Sequence, residues 1–228
     1  MHVEPPSHAP SSLKELGIHY LMIVLGILTA LGLEAGFETL HHRRLAQHTV
    51  EQLETELRAN LAEVRSAAQK NQANADELAA LYGDVKALAK QGKVKPEALY
   101  EMLRQRLKIA VQTPALRRDA WEAAVADQAL IHMPRDALRR FSEAYTAQRE
   151  TQLAVQATFN AVGSISRLTD AAVDAEFGRA DPIEVLKALN GYRLTLRSVL
   201  STQEELASQL GESLGEPGPA APASAPAH

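Results

Sequence analysis

Residues Leu16–Leu33 read LGIHYLMIVLGILTALGL, an apolar run without an acid in which His19 is the sole side chain that ionises near neutral pH. As a helix rising 1.5 Å per residue it would span about 27 Å, close to the roughly 30 Å hydrocarbon thickness of a bilayer. A run of this kind must cross lipid, be cleaved as a signal, or be buried in a soluble core. Cleavage fits poorly, because Lys14 is offset by Glu15 and no Ala-x-Ala site follows. Core helices usually have shorter apolar runs, of about 10–14 residues. The segment is therefore read as a single transmembrane helix over residues 16–37, with Glu34 closing the run and Phe37 and Leu40 extending it into the interface. Arg43 and Arg44 on the far side outweigh Lys14 by one charge, which favours a cytoplasmic bulk domain. Gly32-x-x-x-Gly36 and the weaker Gly26-x-x-x-Ala30 place small residues one turn apart, where two membrane helices can approach closely.

Beyond the run no proline occurs between Pro10 and Pro96, so one helix can continue from the membrane to about residue 91. Leu57, Leu61, Val64, Ala68, Asn71, Ala75, Leu78, Tyr82, Val85 and Ala89 recur in steps of four and three, an a/d seam that Ala46, Val50 and Leu53 extend upstream. Asn71 on this seam is a candidate register residue for a paired helix. Prolines then mark helix starts, where a missing N–H costs nothing. The expected helices are 38–91, 96–112, 114–130, 134–177 and 182–214, with the second and third as a short hairpin. Residues 1–15 read as a disordered arm and residues 215–228 as a disordered Pro/Ala-rich tail. The remaining apolar faces, including Leu99, Leu103, Trp121, Phe141, Tyr145, Phe159, Val162, Leu168, Leu189, Tyr192 and Leu206, fit one antiparallel bundle. The fold class is all-α. Ala and Leu make 70 of 228 residues and aromatics only 4%, a composition that suits helices and not sheets.

Composition also removes functions. Cysteine is absent, which excludes thiolate chemistry and disulfides. With 24 basic and 28 acidic residues the chain lacks the basic excess of a nucleic-acid binder. No phosphate-binding glycine loop, His-Glu-x-x-His or Ser/His/Asp order stands out, so no enzyme activity and no cofactor are expected. The most suggestive polar cluster is Glu34, Glu38, His41, His42 and His48, since Glu38-x-x-His41 has the spacing of carboxylate-bridged dimetal helices. A second Glu-x-x-His is missing from the chain, and the plainer reading is a polar belt at the lipid headgroups, with Arg43 and Arg44 near phosphates. Arg104, Arg106, Lys108, Arg117, Arg118, Arg135, Arg139 and Arg140 form a basic stretch, read as a solvated face paired with Glu97, Glu101, Asp119 and Glu122 or as a docking surface. His132 reads as a solvent-facing cap residue before Pro134.

Several short motifs resemble one another's counterparts in known proteins: Glu4-Pro5-Pro6-Ser7-His8, Gly26 to Glu34, His41-His42-Arg43-Arg44-Leu45, and Glu54-Thr55-Glu56-Leu57-Arg58-Ala59-Asn60. Together they resemble a family of bacterial single-pass membrane proteins of uncharacterised activity. Ala120-Trp121-Glu122-Ala123-Ala124 and Phe141-Ser142-Glu143-Ala144-Tyr145 are similar to a second pair of markers in related membrane-anchored helical proteins. Ser7 and Thr39 depart from the pattern, in place of a His and an aromatic. The resemblance implies attachment to a bacterial inner membrane and a helical domain, and implies no activity. The expected role is a membrane-anchored interaction or scaffolding module, as a homodimer or with a membrane protein partner. A small-ligand sensor signalling through a partner is the alternative, and a carboxylate/His metal-dependent oxidoreductase a minor one.

Overall fold

The computed structural model describes residues 13–92, 95–161 and 163–216, all helix or connecting chain without a strand. The expected arm up to Ser12, Val162, the side chain of Phe159 and the tail from Pro217 onward lie outside the described residues. Helix α1 runs unbroken from Leu13 to Lys90 and stops at Gly92, whose φ of 67° is open to glycine at little cost. Then come α2 (Pro96–Arg106), α3 (Asp119–Ala126), a 3-10 turn (Ala129–His132), α4 (Arg135–Ala161), α5 (Ser164–Glu176) and α6 (Pro182–Ser213). Asp181 caps α6 by accepting from the Ile183 N–H at 2.8 Å, beside a proline in the first turn. The expected single helix 134–177 is corrected: α4 and α5 are separate helices that part at Gly163, a residue of poor helix propensity inside that run.

Partner residues give the directions of the limbs. On α1, Glu54, Glu56 and Asn60 meet Arg140, Tyr145 and Gln148, so α4 runs parallel to α1. Asn71 meets Gln203 and Arg65 meets Glu216, so α6 runs antiparallel and is α1's most extensive partner. The chain from α2 to α3 descends along α1 in the same antiparallel sense. The architecture is thus up, down, up, down, with α5 continuing α4.

The expected helices 96–112 and 114–130 are corrected by this second limb. Helix α2 ends at Arg106, α3 begins only at Asp119, and residues 107–118 between them are not helical. The reason is length. The limb must reach from the far end of α1 to its base, where the 3-10 turn packs on α1 near His42. As one helix its residues would fall short, whereas an extended stretch covers about 3.3 Å per residue, more than twice the helical rise. Two asparagines hold this strap by its main chain. Asn71 accepts from the Gln112 N–H and donates to the Gln112 carbonyl, both at 2.8 Å. Asn60 does the same to Arg117 at 2.9 and 2.8 Å. Eleven helical residues and five extended ones both span about 16 Å, so the two clamps keep register. Pro114, expected to open a helix, lies within the strap.

Two apolar cores flank this polar layer. The one nearer the apolar run joins Leu53, Leu57, Leu61, Val64, Met133, Phe141, Tyr145, Leu206 and Leu210. The other joins Leu78, Leu81, Val85, Leu99, Leu103, Leu168, Leu189, Tyr192 and Leu196. Between them Asn71 and Gln203 are both fully buried, with Asn71 donating to the Gln203 amide oxygen at 2.9 Å and Gln203 donating to the Gln112 carbonyl at 2.8 Å. Asn71 therefore fixes the register of the chain's own strap. Its seam is filled from within the chain, and the expected register role between two copies has no free group to use.

Replacing Asn71 by Ala strands the Gln112 amide and the Gln203 side chain in a buried layer. We expect a loss of roughly 2–4 kcal/mol in unfolding free energy. Amide hydrogen exchange should accelerate at Gln112 while Arg117, still clamped by Asn60, keeps its protection. Equal exchange at both would show that the strap is not held by these side chains.

Candidate functional site

The polar side chains of the bundle converge where α1, the end of the strap, α3 and α4 meet. Glu56 is the centre. One carboxylate oxygen accepts from the Ala120 N–H at 2.9 Å, so a residue of α1 caps the first turn of α3, whose own preceding residue, Arg118, supplies no side-chain cap. The other accepts from the Tyr145 hydroxyl at 2.6 Å. Two residues earlier Glu54 takes Arg58 at 2.9 Å and Arg140 at 3.1 Å. One turn later Asn60 donates to Gln148 Oε1 at 3.2 Å, besides its clamp on Arg117. Trp121 lies against Tyr145 with ring centroids 5.0 Å apart. The three motifs Glu54 to Asn60, Ala120 to Ala124 and Phe141 to Tyr145, separate in sequence, thus occupy one locus.

Burial drives the Tyr145 phenol well above its ordinary range, and the hydrogen bond to the Glu56 carboxylate adds to the shift. Gln148 is fully buried, and its Nε2 has no hydrogen-bond partner among the described residues, as is also true of Arg118 Nε and Arg140 Nε. On the outer flank of this locus a cleft of about 360 Å³ opens between Arg118, Trp121, Tyr145, Arg149 and Leu153. Phe141 is fully buried and lines none of it.

The other candidate residues are placed differently. Glu34, Glu38, His41 and His48 are exposed on α1, and among the described residues no group of three or more His, Asp or Glu converges as a metal site would require. His42 turns toward the bundle and stacks on His132 with centroids 3.8 Å apart and planes 17° from parallel. His132, expected to face solvent as a cap, is half-buried in this contact, because the 3-10 turn it ends is pressed onto α1. Gly26, Gly32 and Gly36 lie on an open surface where an added Cβ would meet nothing within 4 Å, and Ala30 is exposed with them. Half of the basic stretch is ion-paired: Arg104 with Glu101, Arg106 with Asp84, Arg139 with Asp136 and Arg140 with Glu54. Of the four acids expected as partners, only Glu101 serves.

The apolar run forms the first part of α1. It is long and apolar enough to cross a membrane, with a mean hydropathy of 2.1 over its best window and none of that window buried in the chain. No protein-family model, curated protein or solved structure matches the chain.

Tyr145→Phe removes a hydrogen bond to a charged acceptor while keeping the ring, and should cost about 1.5–3 kcal/mol near neutral pH. Because the folded phenol titrates above its unfolded value of 10.0, the fold retains a proton that the unfolded chain releases. Its contribution is complete below that value and is lost as pH rises past it. Denaturant melts at pH 8 and pH 11 should therefore show a steeper alkaline loss in the parent than in Tyr145→Phe. Parallel losses would place the phenol outside this linkage.

Proposed function

We propose that the chain is a membrane-anchored interaction or scaffolding module, in which α1 is both the single membrane span and the central strut of a helical bundle. The observation that carries this reading is continuity: the exposed apolar window and the buried seam of Leu53, Leu57, Leu61 and Val64 belong to one unbroken helix. A loosely linked anchor would tether the bundle. A continuous helix also sets its distance and orientation. The resemblance of its motifs to those of bacterial single-pass membrane proteins supports an inner-membrane location, and Arg43 and Arg44 favour a cytoplasmic bundle. Gly32-x-x-x-Gly36 and Gly26-x-x-x-Ala30 offer an open face for a second copy or another membrane helix. The partners of this reading are lipid and protein. Neither nucleic acid nor a cofactor enters it, and the bundle is not read as an enzyme.

A second reading, a sensor that signals through a partner, is favoured by one feature. The cleft wall at Tyr145 is hydrogen-bonded directly to Glu56 on α1, so an occupant of the cleft would touch the strut. The oxidoreductase reading finds no comparable support in the geometry around Glu38 and His41.

Two measurements test the anchor. After alkaline carbonate extraction the full chain should stay in the membrane pellet, and release into the supernatant would end the reading. Crosslinking in membranes should give a discrete dimer, at least halved by the double change Gly32→Leu and Gly36→Leu. A dimer band unchanged by that double substitution would remove this face as the contact.

A further inference from the structure

The cleft beside Trp121 has a chemistry that the bundle's own packing does not use. Two aromatic residues line it, Trp121 and the largely buried Tyr145, with ring centroids 5.0 Å apart. Arg118 and Arg149 line it, and among the described residues neither has a carboxylate within 4.0 Å, although the neighbouring Arg140 is paired with Glu54. Arg118 is half-buried, and its Nε is buried without a hydrogen-bond partner. An arginine held so has already lost part of its hydration, and an anion that pairs with the rest of its guanidinium restores part of it. The hydroxyls of Ser142 and Thr146 add neutral donors, and Glu150 sets one acidic edge. Two cations against one acid leave a single positive charge, which suits a monoanion and disfavours a multiply charged phosphate. The volume of about 360 Å³ is at the small end of ligand pockets.

We infer that this cleft binds a small organic monoanion, a carboxylate on a flat apolar body, with Arg118 and Arg149 taking the carboxylate and Trp121 and Tyr145 the body. The inference deepens the sensor reading by naming its ligand class, and binding itself needs neither a membrane nor a dimer. Its output path is short. Tyr145 lines the cleft and bonds α1 through its hydroxyl, so a shift of this side chain on binding acts on Glu56 and through it on the cap of α3.

Trp121 is the chain's only tryptophan, so its fluorescence reports on this one place. The full chain in detergent micelles is titrated with benzoate, with benzyl alcohol as the uncharged analogue and with inorganic phosphate as the anion lacking an apolar body. Saturable quenching by benzoate with a midpoint at or below about 1 mM, at least tenfold tighter than the other two, is the expected result. Arg149→Gln, at an exposed position, should weaken benzoate tenfold while leaving the emission maximum and far-UV circular dichroism unchanged. Arg118→Gln should weaken it at least as much, and if that variant unfolds, Arg149→Gln carries the test alone. Linear quenching, equal response to benzyl alcohol, tighter binding of phosphate, or an Arg149→Gln curve that overlays the parent would each overturn the inference. Because the titration is done in micelles, it can fail while the chain remains membrane-bound, and it can succeed where carbonate extraction releases the chain.

Discussion

Two asparagine side chains, Asn60 and Asn71, hold the second limb of this bundle by its peptide groups, and much of the architecture follows from them. An extended chain lying on helices has no neighbouring strand to take its hydrogen bonds, so its buried donors and acceptors need side-chain partners. An asparagine amide offers one acceptor and a donor group in the same spacing as a peptide, and can therefore stand in for a strand at one residue. Gln148 and Gln203 complete each clamp from α4 and α6. The clamps thereby tie all four limbs together at two levels. The Asn71 clamp also separates the two apolar cores by a layer whose pairing is directional, whereas apolar packing alone would tolerate sliding along α1.

The Glu56 node depends on the same registration. Arg117 is held by Asn60, which brings the start of α3 one turn down to the Glu56 carboxylate. A carboxylate at a helix N-terminus is favoured by the exposed N–H groups and the helix dipole, and here it comes from another helix. Glu56 thus joins the start of α3 to the hydroxyl of Tyr145 on α4, and both to the strut. Whatever moves α1 about its axis must move this junction, or break it.

Much of the outline was legible in the residues. The apolar run, the absence of proline up to Pro96 and the proline that opens the last helix placed α1 and α6 within a few residues, whereas α4 and α5 were read as one helix. The strap was not legible, and the reason is physical. Leu107, Val111, Pro114 and Leu116 sit among Ala, Lys and Arg in a stretch with good helix propensity, and local preference argues for helix. What extends it is a length to be spanned and hydrogen-bond partners more than forty residues away. One clue was present: Asn60 and Asn71 lie three turns apart, and Asn71 interrupts an apolar seam where a polar group needs a partner. The pairing of His42 with His132 and the cap that Glu56 provides are contacts of the same long-range kind. The motifs that form the Glu56 node could be recognised singly, but nothing in their spacing brought them together.

The strap is read through its backbone, and its side chains are nowhere fully buried between Leu107 and Arg118. Its tolerance of change is therefore lopsided. Thr113, Ala115 or Ile109 can be exchanged for other residues with little effect, because the asparagines do not contact them. Adding or removing a single residue between Gln112 and Arg117 is different in kind. It would set five extended steps against eleven helical ones out of phase by one, so that only one clamp could close at a time. In this segment the chain specifies a distance, and its letters are secondary.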